Sequence, residues 1–139
     1  MIILRTERLE LREFSDEDLE DIVQRINDTT IYENTLKVPY PYTEKDYHDY
    51  LEMIRKSRDE GKSINLCMHL RSDDTAIGGL GLMNIDRNQG FAEIGYWISS
   101  EMRRKGLTGE AVRALVRYGF DELDLFRIQA VIFDRNKVS

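Results

Sequence analysis

The chain has 139 residues and a formal net charge of −6, because its 26 acidic residues outnumber 20 Lys and Arg. This length fits a single domain over residues 1–139, and the excess of acidic residues argues against a nucleic-acid partner. A single cysteine excludes an internal disulfide, and with only two histidines beside it the sequence predicts no metal site. No apolar run is long enough to cross a membrane and the charged N-terminus is unlike a signal peptide, so we expect a soluble, cytoplasmic protein with no membrane partner.

The first half of the chain predicts one strand followed by two helices. Leucines that alternate with charged residues predict a single half-buried strand over residues 2–13. Ser15, three residues before Asp18, has the spacing of a helix N-cap, and apolar residues at helical spacing follow it. A second helix is predicted to begin at Thr43 and to end at Gly61.

The second half predicts four strands and one helix. Apolar and β-branched runs bounded by polar turns predict strands over residues 63–70, 76–85 and 90–99, and the short turns favour antiparallel neighbours. Residues 109–121 have the apolar spacing of a helix, and residues 126–133 have the composition of a strand. The predicted order β-α-α-β-β-β-α-β describes an α/β (α+β) fold.

The stretch between Glu93 and Ala111 carries the strongest chemical signal. A strand is followed by a basic loop with a glycine and then by a helix, whose N-terminal N–H groups and partial positive charge attract anions. The glycine patterns of the P-loop and of the Rossmann fold are both absent here. The segment predicts a cradle for phosphate or pyrophosphate, formed by Arg103, Arg104, Lys105, Gly106, Leu107, Thr108 and Gly109.

Here the sequence resembles the GCN5-related N-acetyltransferases, in particular their branch that acts on ribosomal-protein N-termini. Residues 103–108 are similar to that family's Arg/Gln-x-x-Gly-x-Gly/Ala loop, with Thr108 where Gly or Ala is usual. Further similarities follow the family's order, at residues 6–12, 77–82, 93–98 and 136–139. The resemblance covers the whole chain and implies an acyl-CoA N-acyltransferase-like fold, with a mixed, mostly antiparallel sheet flanked by helices.

The resemblance also implies a donor, acetyl-CoA, and the residues that bind it. Backbone amides of residues 104–109 would hold the pyrophosphate, the backbone of Trp97 and Ile98 would contact the pantetheine and thioester, and Asn136 would contact the same arm. An N–H group near Ile98 would stabilise the oxyanion formed when an amine attacks the thioester. The expected acceptor is a primary amine, first of all a protein or peptide N-terminus, with polyamines, amino acids and aminoglycosides as alternatives.

Two sets of side chains are candidates for handling the acceptor. Glu93 lies on a strand that leads to the cradle and is the predicted base for the attacking amine, although a solvent-facing strand carboxylate is the simpler interpretation. The predicted acceptor-binding residues are Tyr32, Glu33, Tyr40 and Tyr42, in an irregular aromatic segment that core packing explains almost equally well. Residues 1–70 carry 16 acidic and 10 basic residues, which fits a cationic acceptor or simply a solvating surface.

A second hypothesis is a coenzyme-A-binding module without turnover. Members of the family usually continue beyond the position of Ser139 with a helix and two strands, which often supply the acid that protonates the leaving thiolate. The strand over residues 126–133 would then have an exposed apolar edge. We therefore expect either a fragment or an oligomer, such as a homodimer, that covers this edge.

Overall fold

The computed structural model describes residues 2–26 and 42–130. Within these ranges one sheet contains six strands, β1 Ile3–Arg5, β2 Leu9–Glu13, β3 Ile64–Leu70, β4 Ala76–Asp86, β5 Phe91–Ile98 and β6 Arg127–Ala130, which neighbour one another in chain order. The helices in the same ranges are α1 Leu19–Ile26, α2 Glu44–Asp59 and α3 Leu107–Glu122. Neighbouring strands are antiparallel except for β5 and β6, which are parallel and connected through α3. The predicted mixed, mostly antiparallel sheet flanked by helices is confirmed.

The N-terminal segment differs from the prediction, because residues 2–13 form a hairpin and not one strand. The Thr6 N–H donates to the Leu9 carbonyl over 2.9 Å, and the Leu9 N–H donates to the Thr6 hydroxyl over 3.0 Å. These bonds reverse the chain, so that Leu4 pairs with Leu11. No Gly, Pro or Asn marks the reversal, and the leucine alternation alone does not separate the two strands.

The boundaries of the other elements lie close to the predicted ones. Ser15 precedes the 3-10 turn Asp16–Asp18 that leads into α1, and Thr43 caps α2, as expected. The helix predicted over residues 109–121 begins two residues earlier, at the start of α3. The described part of the strand predicted over residues 126–133 is β6, and a second copy covering its edge stays a prediction.

Two apolar clusters place the helices on opposite faces of the sheet. Leu66 and Met68 of β3 belong to the cluster that packs against α3, whereas Cys67 belongs to the cluster that packs against α1 and α2. Consecutive residues of a strand point to opposite faces, so α3 covers one face while α1 and α2 cover the other. None of the helices in the described ranges is long and apolar enough to cross a membrane.

A buried polar pair joins the start of α1 to β3. The Asp18 carboxylate contacts His69 Nε2 at 2.8 Å and accepts the Ser15 N–H over 3.1 Å, and both Asp18 and His69 are buried. Burial raises the pKa of Asp18, but the hydrogen bond and charge of His69 outweigh it, so this pKa lies below its usual value. The sequence predicts an ordinary strand residue at position 69, whereas the structure makes it the anchor of α1.

Replacing Asp18 by alanine is expected to lower the free energy of unfolding by about 3 kcal/mol at neutral pH, because His69 loses its buried partner. The lowered pKa means that Asp18 is protonated in the unfolded chain before it is protonated in the folded one. Its stabilisation is therefore present above about pH 4 and is lost as the pH falls further. Urea denaturation across this pH range measures the difference in the free energy of unfolding between the wild-type protein and Asp18→Ala. Asp49→Ala, at an exposed position, is the control. A difference that does not change with pH would contradict this role of the ionised Asp18 carboxylate.

Candidate active site

The predicted cradle lies between the end of β5 and the start of α3. A 3-10 turn over Ser100–Met102 follows β5, and residues 103–106 then lead into α3. Gly106 immediately precedes α3 with a φ of 77°, in the left-handed region where a side chain is strained. The first hydrogen bond within α3 runs from the Glu110 N–H to the Gly106 carbonyl over 3.2 Å. The amides of residues 107–109 consequently have no partner within the helix and are available to an anion.

A set of hydrogen bonds holds this loop against the hairpin of β1 and β2. The Arg8 guanidinium donates to the Lys105 carbonyl over 2.8 Å and to the Glu110 carboxylate over 2.9 Å. The same carboxylate accepts the Arg8 N–H over 2.8 Å and the Thr6 hydroxyl. We refer to Thr6, Arg8, Lys105 and Glu110 as the Arg8 clamp. Because the clamp restrains both the loop and the first turn of α3, it sets the conformation of the cradle before a ligand binds.

Arg8 and Glu110 balance one another's charge within the clamp, so the positive charge of the loop remains available. Burial raises the pKa of Glu110, but hydrogen bonds from Thr6 and Arg8 outweigh it and hold this pKa below its usual value. Glu110 is thus ionised and paired with Arg8. The cationic side chains of residues 103–105 form no ion pair with any residue that the structure describes. The cradle therefore combines unpaired amides with uncompensated positive charge, which fits a pyrophosphate.

Replacing Glu110 by alanine is expected to weaken coenzyme A binding about tenfold, because the loop and the first turn of α3 lose their common restraint. Isothermal titration calorimetry measures the dissociation constant. Glu122→Ala is the matched control, since Glu122 is exposed in the last turn of the same helix. Equal affinities in the two variants would show that the clamp does not shape the cradle.

The even-numbered residues of β5 have their backbone N–H and C=O groups on the side of β6. The Ser99 N–H donates to the Ile77 carbonyl over 2.9 Å, and the alternation of an antiparallel ladder then turns the N–H and C=O of Ile98 away from β4. At the other end of the strand, the Gly90 carbonyl accepts the Arg127 N–H over 3.0 Å, which gives the same alternation from the side of β6.

The half of β5 nearest the cradle extends beyond its described pairing with β6. That ladder ends at Ile94 and Ala130. On the opposite side, a Cβ on Gly78 would lie 2.5 Å from the Trp97 carbonyl oxygen, so β4 approaches β5 more closely than a side chain allows. The end of β5 is therefore held by β4 on one side, and on the other side its described ladder with β6 ends at Ile94.

Glu93 lies in the half of β5 that is paired with β6. Its partly buried carboxylate accepts the side-chain amide of Asn84 over 2.8 Å. Glu93 and Trp97 share the sheet face that α1 and α2 cover, because they are an even number of residues apart and Trp97 packs in that cluster. Their separation along an extended strand is about 13 Å, so the structure does not bring Glu93 beside the cradle.

The structure describes one of the four predicted acceptor residues, Tyr42. Its ring is buried with Tyr47 and Leu51 in the cluster beneath α1 and α2, where burial and nearby α2 carboxylates raise its pKa to about 12. Tyr42 thus packs in the core at the start of α2. Tyr32, Glu33, Tyr40 and Asn136 lie outside the described residues, and their roles stay predictions.

Arg8 and Glu110 are site residues that the sequence analysis did not single out. The available signals were an acidic residue in the first turn of a helix and the N-terminal similarity over residues 6–12. Neither signal indicates a contact between positions that are 102 residues apart.

Comparisons with known proteins identify the family and the fold of the chain. Residues 8–139 match the family described as acetyltransferase (GNAT) domain. An uncharacterised N-acetyltransferase, p20 of Bacillus licheniformis, is 35% identical over 142 residues, which cover 100% of this chain and 78% of that protein. A putative ribosomal-protein-serine acetyltransferase from Vibrio cholerae has a similar structure, with a TM-score of 0.86 and 24% identity over 97% of this chain and 76% of that one. Mycobacterium smegmatis RimJ in complex with CoA-disulfide has a TM-score of 0.83 and 20% identity, over 98% and 68% of the two chains. The chain belongs to the GNAT acetyltransferase family.

Proposed function

We propose that the protein transfers the acetyl group of acetyl-CoA to a primary amine, and that the acceptor is a protein or peptide N-terminus. The observation that carries this proposal is the continuity of the amide cradle at the start of α3 with the end of β5, where the backbone N–H and C=O of Ile98 point away from β4. Coenzyme A has an anionic pyrophosphate joined to an arm that contains amides. The pyrophosphate matches the cradle, and the arm that is joined to it matches the end of β5 beside the cradle.

The proposed donor site uses mainly backbone groups. The amides of residues 104–109 and the cationic side chains among them hold the pyrophosphate. The backbone N–H and C=O of Ile98, which point away from β4, hydrogen-bond the arm in the manner of an added strand, and Asn136 contacts the same arm. The predicted backbone contact of Trp97 is not retained, because the N–H and C=O of Trp97 are turned toward β4. Thr108 departs from the family pattern in its side chain only, so its amide in the first turn of α3 still serves as a donor.

The direction of the arm supports Glu93 as the base. Because the pyrophosphate is held after the end of β5, an arm that follows β5 carries the thioester away from Ile98 and toward Glu93. The neutral amine attacks the thioester carbonyl carbon, the carbon–sulfur bond breaks, and the coenzyme leaves as a thiolate that takes a proton from water. Glu93 accepts the proton that the amine loses, directly or through a water molecule. An N–H group near Ile98 stabilises the oxyanion.

Charge and resemblance support a cationic protein terminus as the acceptor. The first 70 residues carry 16 acidic and 10 basic residues, so they account for the whole net charge, and they include α1 and α2, which cover the face that Glu93 shares. Such a field attracts a protonated amine before it loses its proton in the site. The similar Vibrio cholerae protein carries a name that describes action on a ribosomal protein.

Acetyl transfer to a panel of amines tests this proposal, with release of the coenzyme thiol as the measurement. The panel contains peptides with free N-termini, the same peptides with blocked N-termini, a polyamine, an amino acid and an aminoglycoside. Thiol release that requires a free peptide N-terminus supports the proposal. Release with a small amine would reassign the acceptor, binding of acetyl-CoA without release would favour a module without turnover, and absence of binding would refute the donor site.

A further inference from the structure

A polar link joins α1 to the turn that follows β5. The Arg25 guanidinium, in the last turn of α1, donates to the Ser99 hydroxyl over 3.3 Å and to the Glu101 carboxylate. The Ser99 hydroxyl donates to the same carboxylate over 3.3 Å. These three side chains, which we refer to as the Arg25 link, close a triangle between segments that are 74 positions apart in sequence.

The link is shielded from water at the turn. Ser99 is 4% exposed and the Arg25 side chain is 20% exposed, while the Glu101 side chain faces solvent. The backbone of Ser99 is fixed as well, because its N–H donates to the Ile77 carbonyl and its carbonyl accepts the Met102 N–H, each over 2.9 Å. Side-chain and backbone contacts together therefore determine the path of the turn.

This turn separates the two parts of the proposed donor site. β5 ends at Ile98, directly before the turn, and the cradle loop over residues 103–106 directly follows the turn. A ligand that contacts both parts at once requires the correct distance and angle between them. The turn is the covalent connection that sets both quantities.

The helix that carries Arg25 is itself attached to the sheet. Asp18, at its start, contacts His69 of β3, and Asp21 accepts the Ala76 N–H of β4 over 3.3 Å. Asp18, Asp21 and Arg25 follow one another at intervals of three and four residues, so they lie along one side of the helical segment. Arg25 therefore reaches the turn from a base that is fixed to the neighbouring strands.

We infer that Arg25 is a positioning residue that sets the geometry between the cradle and β5, and thereby determines how well one coenzyme molecule binds both. The inference rests on the proposed donor site and gives α1 a part in donor binding. A partly exposed ion pair contributes little to stability, so the effect of this link is expected in ligand binding. Loss of the link is therefore expected to reduce the extra affinity that coenzyme A gains by contacting β5 as well as the cradle.

The test compares two ligands in the wild-type protein and in Arg25→Gln. Adenosine 3′-phosphate 5′-diphosphate, the nucleotide half of coenzyme A, contacts only the cradle, whereas coenzyme A also contacts β5. The gain in affinity of coenzyme A over the nucleotide measures how well the cradle and the end of β5 are aligned to bind one molecule. We expect Arg25→Gln to reduce this gain about tenfold and to change nucleotide affinity less than about twofold, both measured by isothermal titration calorimetry.

Three further variants keep the test independent of folding. Glu101→Ala, at the exposed corner of the link, is expected to reduce the gain as Arg25→Gln does, and the double variant is expected to add nothing further. Lys45→Gln is the control, because it breaks an exposed ion pair within α2, and it is expected to leave both affinities unchanged.

The outcomes separate this inference from the proposed function. An unchanged gain in Arg25→Gln and Glu101→Ala, or an equal loss of both ligands, would overturn the role of Arg25 while leaving the donor site in place. Additive losses in the double variant would also overturn it, since they would show that the two residues act separately. A wild-type protein that binds neither ligand would refute the donor site and the inference together.

Discussion

Gly106→Glu is expected to raise the dissociation constant for coenzyme A by roughly a hundredfold or more, because a carboxylate at this position repels the pyrophosphate. A Cβ at Gly106 has ordinary space, with Arg8 Nη2 as its nearest neighbour at 3.4 Å. The variant should therefore retain the fold and the Arg8 clamp while losing the donor. Isothermal titration calorimetry gives the affinity, and thermal unfolding gives the stability.

Gly61→Glu is the matched control for this prediction. Gly61 has a φ of 73°, close to the 77° of Gly106, and a Cβ there would meet nothing within 4 Å. Both variants thus bear the same left-handed strain, roughly 1–2 kcal/mol, but only Gly106→Glu introduces a charge at the cradle. If Gly106→Glu binds coenzyme A as well as Gly61→Glu does, the pyrophosphate lies elsewhere.

Glu93→Gln is expected to lower the rate of acetyl transfer by about 10²- to 10⁴-fold at neutral pH, and by less at high pH, where the free amine is abundant. Glutamine retains an oxygen for the 2.8 Å hydrogen bond from Asn84, so the variant removes the base while preserving its surroundings. The pH profile of kcat/KM for the peptide acceptor measures the effect.

The same substitution at an exposed position of α2, Glu52→Gln, serves as the control and should leave the profile unchanged. A loss in Glu93→Gln that is equal at neutral and high pH would assign Glu93 to holding the acceptor or the strand. In that case the amine would lose its proton to solvent or to another group.

Local patterns predicted most of the fold because the interactions that define its elements are themselves local. The N-caps at Ser15 and Thr43 involve side chains and amides only three residues apart, and the sequence spacing is enough to find them. The hairpin within residues 2–13 was missed because a threonine hydroxyl makes its turn, and threonine is also common in strands.

In the candidate site as well, residues that are contiguous in sequence were predictable and residues with distant partners were not. The cradle was predictable because its loop, glycine and helix start lie within seven consecutive positions. Arg8 and Arg25 were not predictable, since each is an ordinary surface-type residue whose partners lie 102 and 74 positions away. Tyr42 shows the converse, because an aromatic residue beside an irregular segment fits a binding site and a core equally well until its burial is known.

The Arg8 clamp has a consequence for how long the native state lasts. It closes a loop of 102 positions, and we expect this contact to form late in folding, because the chain entropy of closure must be overcome first. Interactions that form after the transition state slow unfolding while leaving the folding rate almost unchanged. Binding of the proposed donor at the clamped loop is therefore expected to slow unfolding, so that the half-life of the folded chain rises with the concentration of coenzyme A.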